Sequence, residues 1–244
     1  AQEGPADRDP RFVTEMIATD DGNPSVQKPV DQAWLEPVPK DSMIVYSAAF
    51  DGPAAGTRLR ALLARDEQRA ATVAALEQKL GFGPERVLAR LGPGLTAYVA
   101  PLQGLALPET LVWLDCEDPA AFTADCEALI GALGETLPGF AVKTKPYKVK
   151  KAGTDEKLEI PLTTMTLPPG MNQIPMIQVS PSFAPIGKKL VFGLNSMDVK
   201  KELKRIVGGE GEPIVAGTNA LTALGFTLPP DARSGLVMDW ARLI

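Results

Sequence analysis

The sequence ETLVWLDCEDPAAFTADCEALIGAL, residues 109–133, joins an apolar strand directly to a helix. The run Leu111–Leu114 is typical of a buried strand. Asp118 followed by Pro119 marks a helix start, because aspartate is a favoured N-cap and proline is tolerated in the first turn. Apolar residues then recur at helical spacing (Phe122, Cys126, Leu129, Ile130 and Leu133). The stretch therefore predicts a strand that leads into a helix over 119–133.

A second strand precedes this unit and pairs with it as a hairpin. Residues 91–94, LGPG, lead into the apolar run 95–100, and residues 101–108 connect that run to a return strand over 110–115. The two strands are therefore predicted to be antiparallel.

The same signals occur along most of the chain. Further strands are predicted near 43–50, 140–150, 158–167, 189–194 and 235–241, and further helices over 54–64, 66–80, 84–91 and 197–207. Strands that come in hairpins, without regular strand–helix alternation, favour an antiparallel sheet. The predicted class is α+β, a mainly antiparallel sheet with the helices near 119–133 and 197–207 packed on one face.

The domain organisation follows from where the periodicity begins. Residues 1–38 are poor in it and are predicted to be a poorly structured N-terminal segment, with a short helix over 11–17. Residues 39–244 are predicted to form a single α+β domain. Its last strand resembles the first, since each follows a Pro-x-Asp triplet, at 39–41 and 229–231. Two interpretations stay open: the last strand closes the sheet, or it starts a second repeat that the chain lacks.

Composition excludes several kinds of site. The chain has 244 residues, a net charge of −5, two cysteines and no histidine. Without histidine there is no Ser-His-Asp or Cys-His catalysis and no His-ligated zinc, and two cysteines cannot form a four-thiolate site. The mild acidity argues against nucleic-acid binding, and proline and glycine interrupt every long uncharged stretch, so no membrane span is predicted. We predict no enzyme and no catalytic, cofactor-binding or metal-binding residue.

The two cysteines are predicted to be free and buried. Cys116 lies just past the strand, and Cys126 lies about 12 Å along the helix at 1.5 Å per residue. A disulfide needs Cα atoms within about 7 Å of each other. A bridge is the less favoured interpretation.

Three carboxylates cluster between the strand and the helix. Asp115, Glu117 and Asp118 could form a metal or acid–base site only by converging on one pocket. Capping already explains Asp118, and Glu117 fits a solvated turn, so we favour a structural role.

Charge is distributed unevenly. Residues 141–205 contain twelve lysines and arginines and five aspartates and glutamates, a net charge of +7 in an acidic chain. Lysines on the predicted strand and helix form a candidate anion-binding surface: Lys143, Lys145, Lys148, Lys150, Lys200, Lys201 and Lys204. The alternative is that they solvate exposed faces and protect a sheet edge, which is the more common use of such residues.

Several motifs together resemble the bacterial domain-of-unknown-function family 3352. They are LGPG before the strand 95–100, LVWL before Asp118-Pro119-Ala120-Ala121, the run 189–196 before a lysine-rich helix, and LPPD at 228–231. The likeness covers about residues 38–244. It implies a secreted or envelope-facing α+β protein of unassigned function, and it transfers no catalytic residue.

The beginning of the sequence agrees with a location outside the cytoplasm. The polar start, AQEGPAD, resembles a mature end left after removal of a signal peptide, although a shortened sequence would look the same. A periplasmic or secreted protein is therefore expected.

These observations lead to three hypotheses of function. The first is a non-enzymatic binding or assembly protein that acts through its surface, with a protein or an anionic surface as partner. The second is a carrier of an apolar ligand held between sheet and helices. The third is an enzyme that uses carboxylates alone. The sequence leaves the oligomeric state open.

Overall fold

The computed structural model describes residues 12–14, 29–39, 42–100, 109–168, 170, 179–209 and 234–238. The strands are β1 (Phe12–Thr14), β2 (Ile44–Ala49), β3 (Leu91–Val99), β4 (Thr110–Cys116), β5 (Ala141–Lys150), β6 (Lys157–Thr166), β7 (Ser182–Ile186), β8 (Lys189–Gly193) and β9 (Ser234–Met238). The helices are α1 (Gly52–Leu63), α2 (Glu67–Leu80), α3 (Pro84–Ala89), α4 (Pro119–Thr136) and α5 (Ser196–Gly208), and a 3-10 turn spans Gln32–Leu35. The predicted connection 101–108 lies outside the described residues, as does the end of the last predicted strand, 239–241.

All the described strands belong to one sheet in the order β1-β9-β2-β3-β4-β8-β7-β6-β5. Every neighbouring pair is antiparallel. The α+β class and the antiparallel sheet are therefore confirmed. The last predicted strand, β9, lies between β1 and β2.

The placement of the helices differs from the expectation. In β8, Leu190 and Val191 are both 0% exposed, and as neighbours on a strand they point to opposite faces. Leu190 packs in one cluster with Phe122 of α4, and Val191 packs in another with Val199 of α5. We call these sides the α4 face and the α5 face. The two helices cover opposite faces because the continuous apolar run of β8 needs cover on both sides.

The N-terminal segment also differs from the expectation. Trp34, Leu35 and Val38 are buried, and Leu35 and Val38 belong to the core of the α5 face. Trp34 packs so closely on Gly94 that a Cβ there would lie 2.4 Å from indole atoms. Part of the segment predicted to be poorly structured thus completes the core through contacts distant in sequence. Residues 1–11 and 15–28 lie outside the described residues.

The short helix predicted over 11–17 is wrong at its centre. Phe12–Thr14 forms β1, which pairs with β9 at the edge of the sheet. A partner more than 200 positions away in the sequence decides the conformation of this segment. Local periodicity carries no signal for such pairing.

Candidate functional site

Helix α5 buries its two carboxylates and exposes its lysines. Glu202 is 3% exposed and Asp198 is also buried, whereas Lys201 and Lys204 are exposed and Lys200 is partly so. An apolar and acidic side faces the sheet, and a basic side faces water. The outer surface of this helix is therefore more positive than its sequence suggests.

Glu202 is held by two donors on the α5 face. The indole Nε1 of Trp113 donates to its Oε1 at 3.0 Å. Arg205 donates from Nε to Oε2 at 2.7 Å and from Nη2 to Oε1 at 2.6 Å, a two-pronged ion pair. The same guanidinium donates to the carbonyl oxygen of Pro37. The buried charge is thereby compensated, and α5 is tied both to β4 and to the segment after the 3-10 turn.

Tyr98 lies beside this ion pair on the α5 face. Its side chain is almost fully buried, and its hydroxyl has no hydrogen-bond partner among the described residues. Burial raises its pKa well above the usual value, and the Glu202 carboxylate raises it further. The hydroxyl therefore stays protonated and is unsuited to act as a base.

Asp198 stands at the start of α5 in a capping arrangement. Asn195 caps the helix by accepting from the backbone N–H of Met197 at 2.9 Å and of Asp198 at 3.0 Å. Its amide donates to the Asp198 carboxylate at 2.8 Å. Burial, and then the nearby Glu109, raise the Asp198 pKa from 3.8 to about 6, while Lys201 opposes the shift. Asp198 thus serves the helix start and does not project outward.

The lysines of β5 are divided between the two faces. Thr144 bonds to Thr163 at 2.8 Å and to Glu127 of α4, so it points to the α4 face. Tyr147 packs against the core of the α5 face and lies under Lys200, whose Nζ is 5.8 Å from the ring centroid. Even positions of β5 therefore belong to the α4 face and odd positions to the α5 face.

This division separates the candidate lysines into two groups. Lys143 and Lys145 lie on the α5 face, together with the helix lysines. Lys148 and Lys150 lie on the α4 face, where they pair with Glu159 at 2.8 Å and Asp155 at 2.7 Å. The hydrogen bond to Glu159 raises the Lys148 pKa. The seven lysines therefore do not form one continuous surface.

The lysines of the α5 face also differ in pairing. Lys201 forms an ion pair with Glu109, which offsets part of its charge. Five of the candidate lysines lie on this side of the sheet, and we call them the basic face: Lys143, Lys145, Lys200, Lys201 and Lys204.

The three clustered carboxylates do not converge. Asp118 caps α4 by accepting from the backbone N–H of Ala121 at 3.0 Å, as predicted. Asp115 lies 3.9 Å from Lys189, and burial raises its pKa. Glu117 lines an open depression of about 480 Å³ at the start of α4. Within the described ranges, no group of three or more cysteine, aspartate or glutamate side chains could hold a metal ion.

The cysteines are free and buried, as predicted. Both pack in the core of the α4 face. Burial raises the pKa of Cys116 above its usual value and that of Cys126 to about 12. The nucleophilic thiolate is therefore suppressed at both sites.

Sequence reasoning missed the buried ion pair of Glu202 and Arg205. Two signals could have indicated it. The two residues are three positions apart on a helix, and Trp113 stands in an apolar strand, where a buried indole N–H needs an acceptor.

None of the described helices combines the length and apolar character needed to cross a bilayer. The chain matches no family model, no curated protein and no solved structure.

Proposed function

We propose that this chain is a non-enzymatic, extracytoplasmic binding or assembly protein that engages an anionic partner through the basic face. The location outside the cytoplasm rests on the sequence resemblance to family 3352. The mode of action rests on the surface of α5 and the neighbouring part of β5.

The burial of the α5 carboxylates is the observation that carries the proposal. On a helix surface, an acidic residue three or four positions from a lysine can offset its charge. Here Glu202 is committed to Arg205 inside the core, and Asp198 is committed to the helix cap. Lys200 and Lys204 therefore lack a carboxylate partner on their own helix, which gives this face a positive potential in an acidic protein.

The non-enzymatic part of the proposal is supported by the chemistry available. Histidine is absent from the whole sequence. Both thiols have a raised pKa. Of the three clustered carboxylates, Asp118 is committed to the cap of α4, and Asp115 and Glu117 point to different surroundings.

Among the described residues, the carrier hypothesis gains no comparable support. The depression at the start of α4 is open to solvent, and its lining includes Glu117 and Asp118 beside prolines. An apolar ligand is better held in an enclosed cavity.

Retention on an anionic resin tests the proposal with a pair of matched variants. Lys143→Gln/Lys145→Gln removes two charges from the basic face, and Lys148→Gln/Lys150→Gln removes two charges from the other face of the same strand. Both variants change the net charge equally. We expect the first to elute at clearly lower salt than the second, because only the first weakens the binding surface. Equal elution of the two variants would show that retention follows net charge alone and would overturn the proposal.

A further inference from the structure

We infer that the anionic partner of the basic face is the surface of a lipid bilayer. This inference rests on the proposed function and specifies its partner. Two exposed apolar side chains stand beside the lysines: Met197 is 59% exposed and Leu194 is 43% exposed. The surface thus combines cations with apolar groups.

The spacing places these groups on one line of the helix. Met197, Lys200, Lys201 and Lys204 are related by steps of three and four residues, so they form one stripe on the solvent side of α5, where Lys200 is partly exposed and the other three are exposed. Leu194 lies just before the Asn195 cap, at the same end as Met197. A helix lying flat on a bilayer inserts its apolar side chains below the headgroups, while lysine ammonium groups remain at phosphate level.

Chemistry favours a lipid surface over a nucleic acid. Binding of single-stranded nucleic acid relies on aromatic side chains that stack on bases, and α5 contains none. Tyr147, the neighbouring aromatic on β5, packs against the core beneath Lys200. A polyanion would also gain nothing from Met197 and Leu194, whereas a bilayer accepts them.

The expected charge contribution is measurable. Each lysine near an anionic membrane surface stabilises the membrane-bound state. The loss of two such lysines is expected to weaken binding to the membrane by about thirtyfold at low salt. Lys200→Gln/Lys204→Gln should therefore bind anionic vesicles about thirtyfold more weakly than the unmodified protein. The same substitutions should have no effect on vesicles of phosphatidylcholine alone, which neither protein binds tightly.

The buried native cysteines permit a direct test of insertion. In Met197→Cys, an environment-sensitive nitrobenzoxadiazole label reacts with the introduced thiol, because Cys116 and Cys126 are buried. We expect its fluorescence to rise with vesicles of phosphatidylcholine and phosphatidylglycerol in equal parts, and not with phosphatidylcholine alone. A label on Lys148→Cys, on the opposite face, should stay in water. An unchanged signal from the Met197→Cys label would overturn the lipid inference.

A charge-neutral variant separates this inference from the proposed function. Leu194→Ser/Met197→Ser keeps every lysine, so its retention on the anionic resin should be unchanged while its binding to anionic vesicles falls. Equal vesicle binding by this variant and the unmodified protein would overturn the lipid inference and leave the proposed function standing. Binding to a single-stranded nucleic acid in place of vesicles would also overturn the lipid inference and leave the proposed function standing. Equal elution of Lys143→Gln/Lys145→Gln and Lys148→Gln/Lys150→Gln from the resin would instead overturn the proposed function.

Discussion

The indole of Trp113 on β4 donates a 3.0 Å hydrogen bond to the carboxylate of Glu202 on α5. Both side chains are buried, so a charged group anchors the helix to the centre of the sheet. The anchor fixes the rotation of α5 about its own axis, and this rotation keeps the lysine stripe on the outside.

Removal of the Glu202 carboxylate should lower the free energy of unfolding. Glu202→Ala leaves Arg205, whose side chain is 17% exposed, without its counter-ion, and the expected loss of unfolding free energy is about 3–5 kcal/mol. Urea denaturation followed by circular dichroism measures it. The control is Lys204→Ala on the exposed side of the same helix, which should stay within about 0.5 kcal/mol of the unmodified protein. Similar stability of the two variants would contradict the assigned role of Glu202.

Tyr98→Phe should leave the protein as stable or make it more stable. The hydroxyl is buried and has no hydrogen-bond partner among the described residues, and a buried unpaired polar group costs about 1–3 kcal/mol. Phenylalanine keeps the ring and removes that cost. Urea midpoints of the two proteins give the result. A loss of more than about 1 kcal/mol would mean that the hydroxyl is paired in solution.

Asp198 should make stability depend on pH in an unusual direction. Its folded pKa of about 6 lies above the usual 3.8, so the folded protein holds this proton more tightly than the unfolded chain. The contribution of the protonated group is present at low pH and is lost as pH rises through about 6.

Asp198→Asn should therefore stabilise the protein increasingly as pH rises from about 4 to about 7, since the amide has no proton to lose there. The amide oxygen can still accept from Asn195, so the cap is preserved. The difference in urea midpoint between variant and unmodified protein across this range tests the effect. Asp155→Asn, at a fully exposed carboxylate, is the control. A difference in urea midpoint that does not change with pH would contradict the raised pKa of Asp198.

Two glycines of α4 offer a matched comparison. A Cβ at Gly131 meets nothing within 4 Å, whereas a Cβ at Gly134 would lie 2.5 Å from the carbonyl oxygen of Phe140. Gly131→Ala should stabilise the protein by about 0.5–1 kcal/mol through helix propensity. Gly134→Ala should destabilise it, because backbone must move to make room. Thermal melting distinguishes the two, and stabilisation by both would contradict the close approach of Phe140 to Gly134.

Local signals in the sequence explain what could be predicted. The N-cap Asp118 and the proline after it define the start of α4, and the alternation in 140–150 defines β5. These features depend on neighbours within a few residues. Neither the pairing of Phe12–Thr14 with β9 nor the packing of Trp34 on Gly94 has such a local signal.

The candidate surface was predictable only in part. Alternation correctly indicates that Lys143 and Lys145 share one side of the strand, and that Lys148 and Lys150 share the other. Which pair accompanies α5 depends on which face of the sheet the helix covers, and this follows from the tertiary contact of Lys200 with Tyr147. The burial of Glu202 likewise depends on Trp113, which is 89 positions away.

The two-sided burial of β8 has a consequence for how the protein unfolds. Leu190 contributes to the core that α4 covers, and Val191 contributes to the core that α5 covers. Loss of either layer would expose the same strand to water, so each layer should stabilise the other. We therefore expect the described fold to unfold as one cooperative unit, with the amide protons of β8 among the slowest to exchange with solvent.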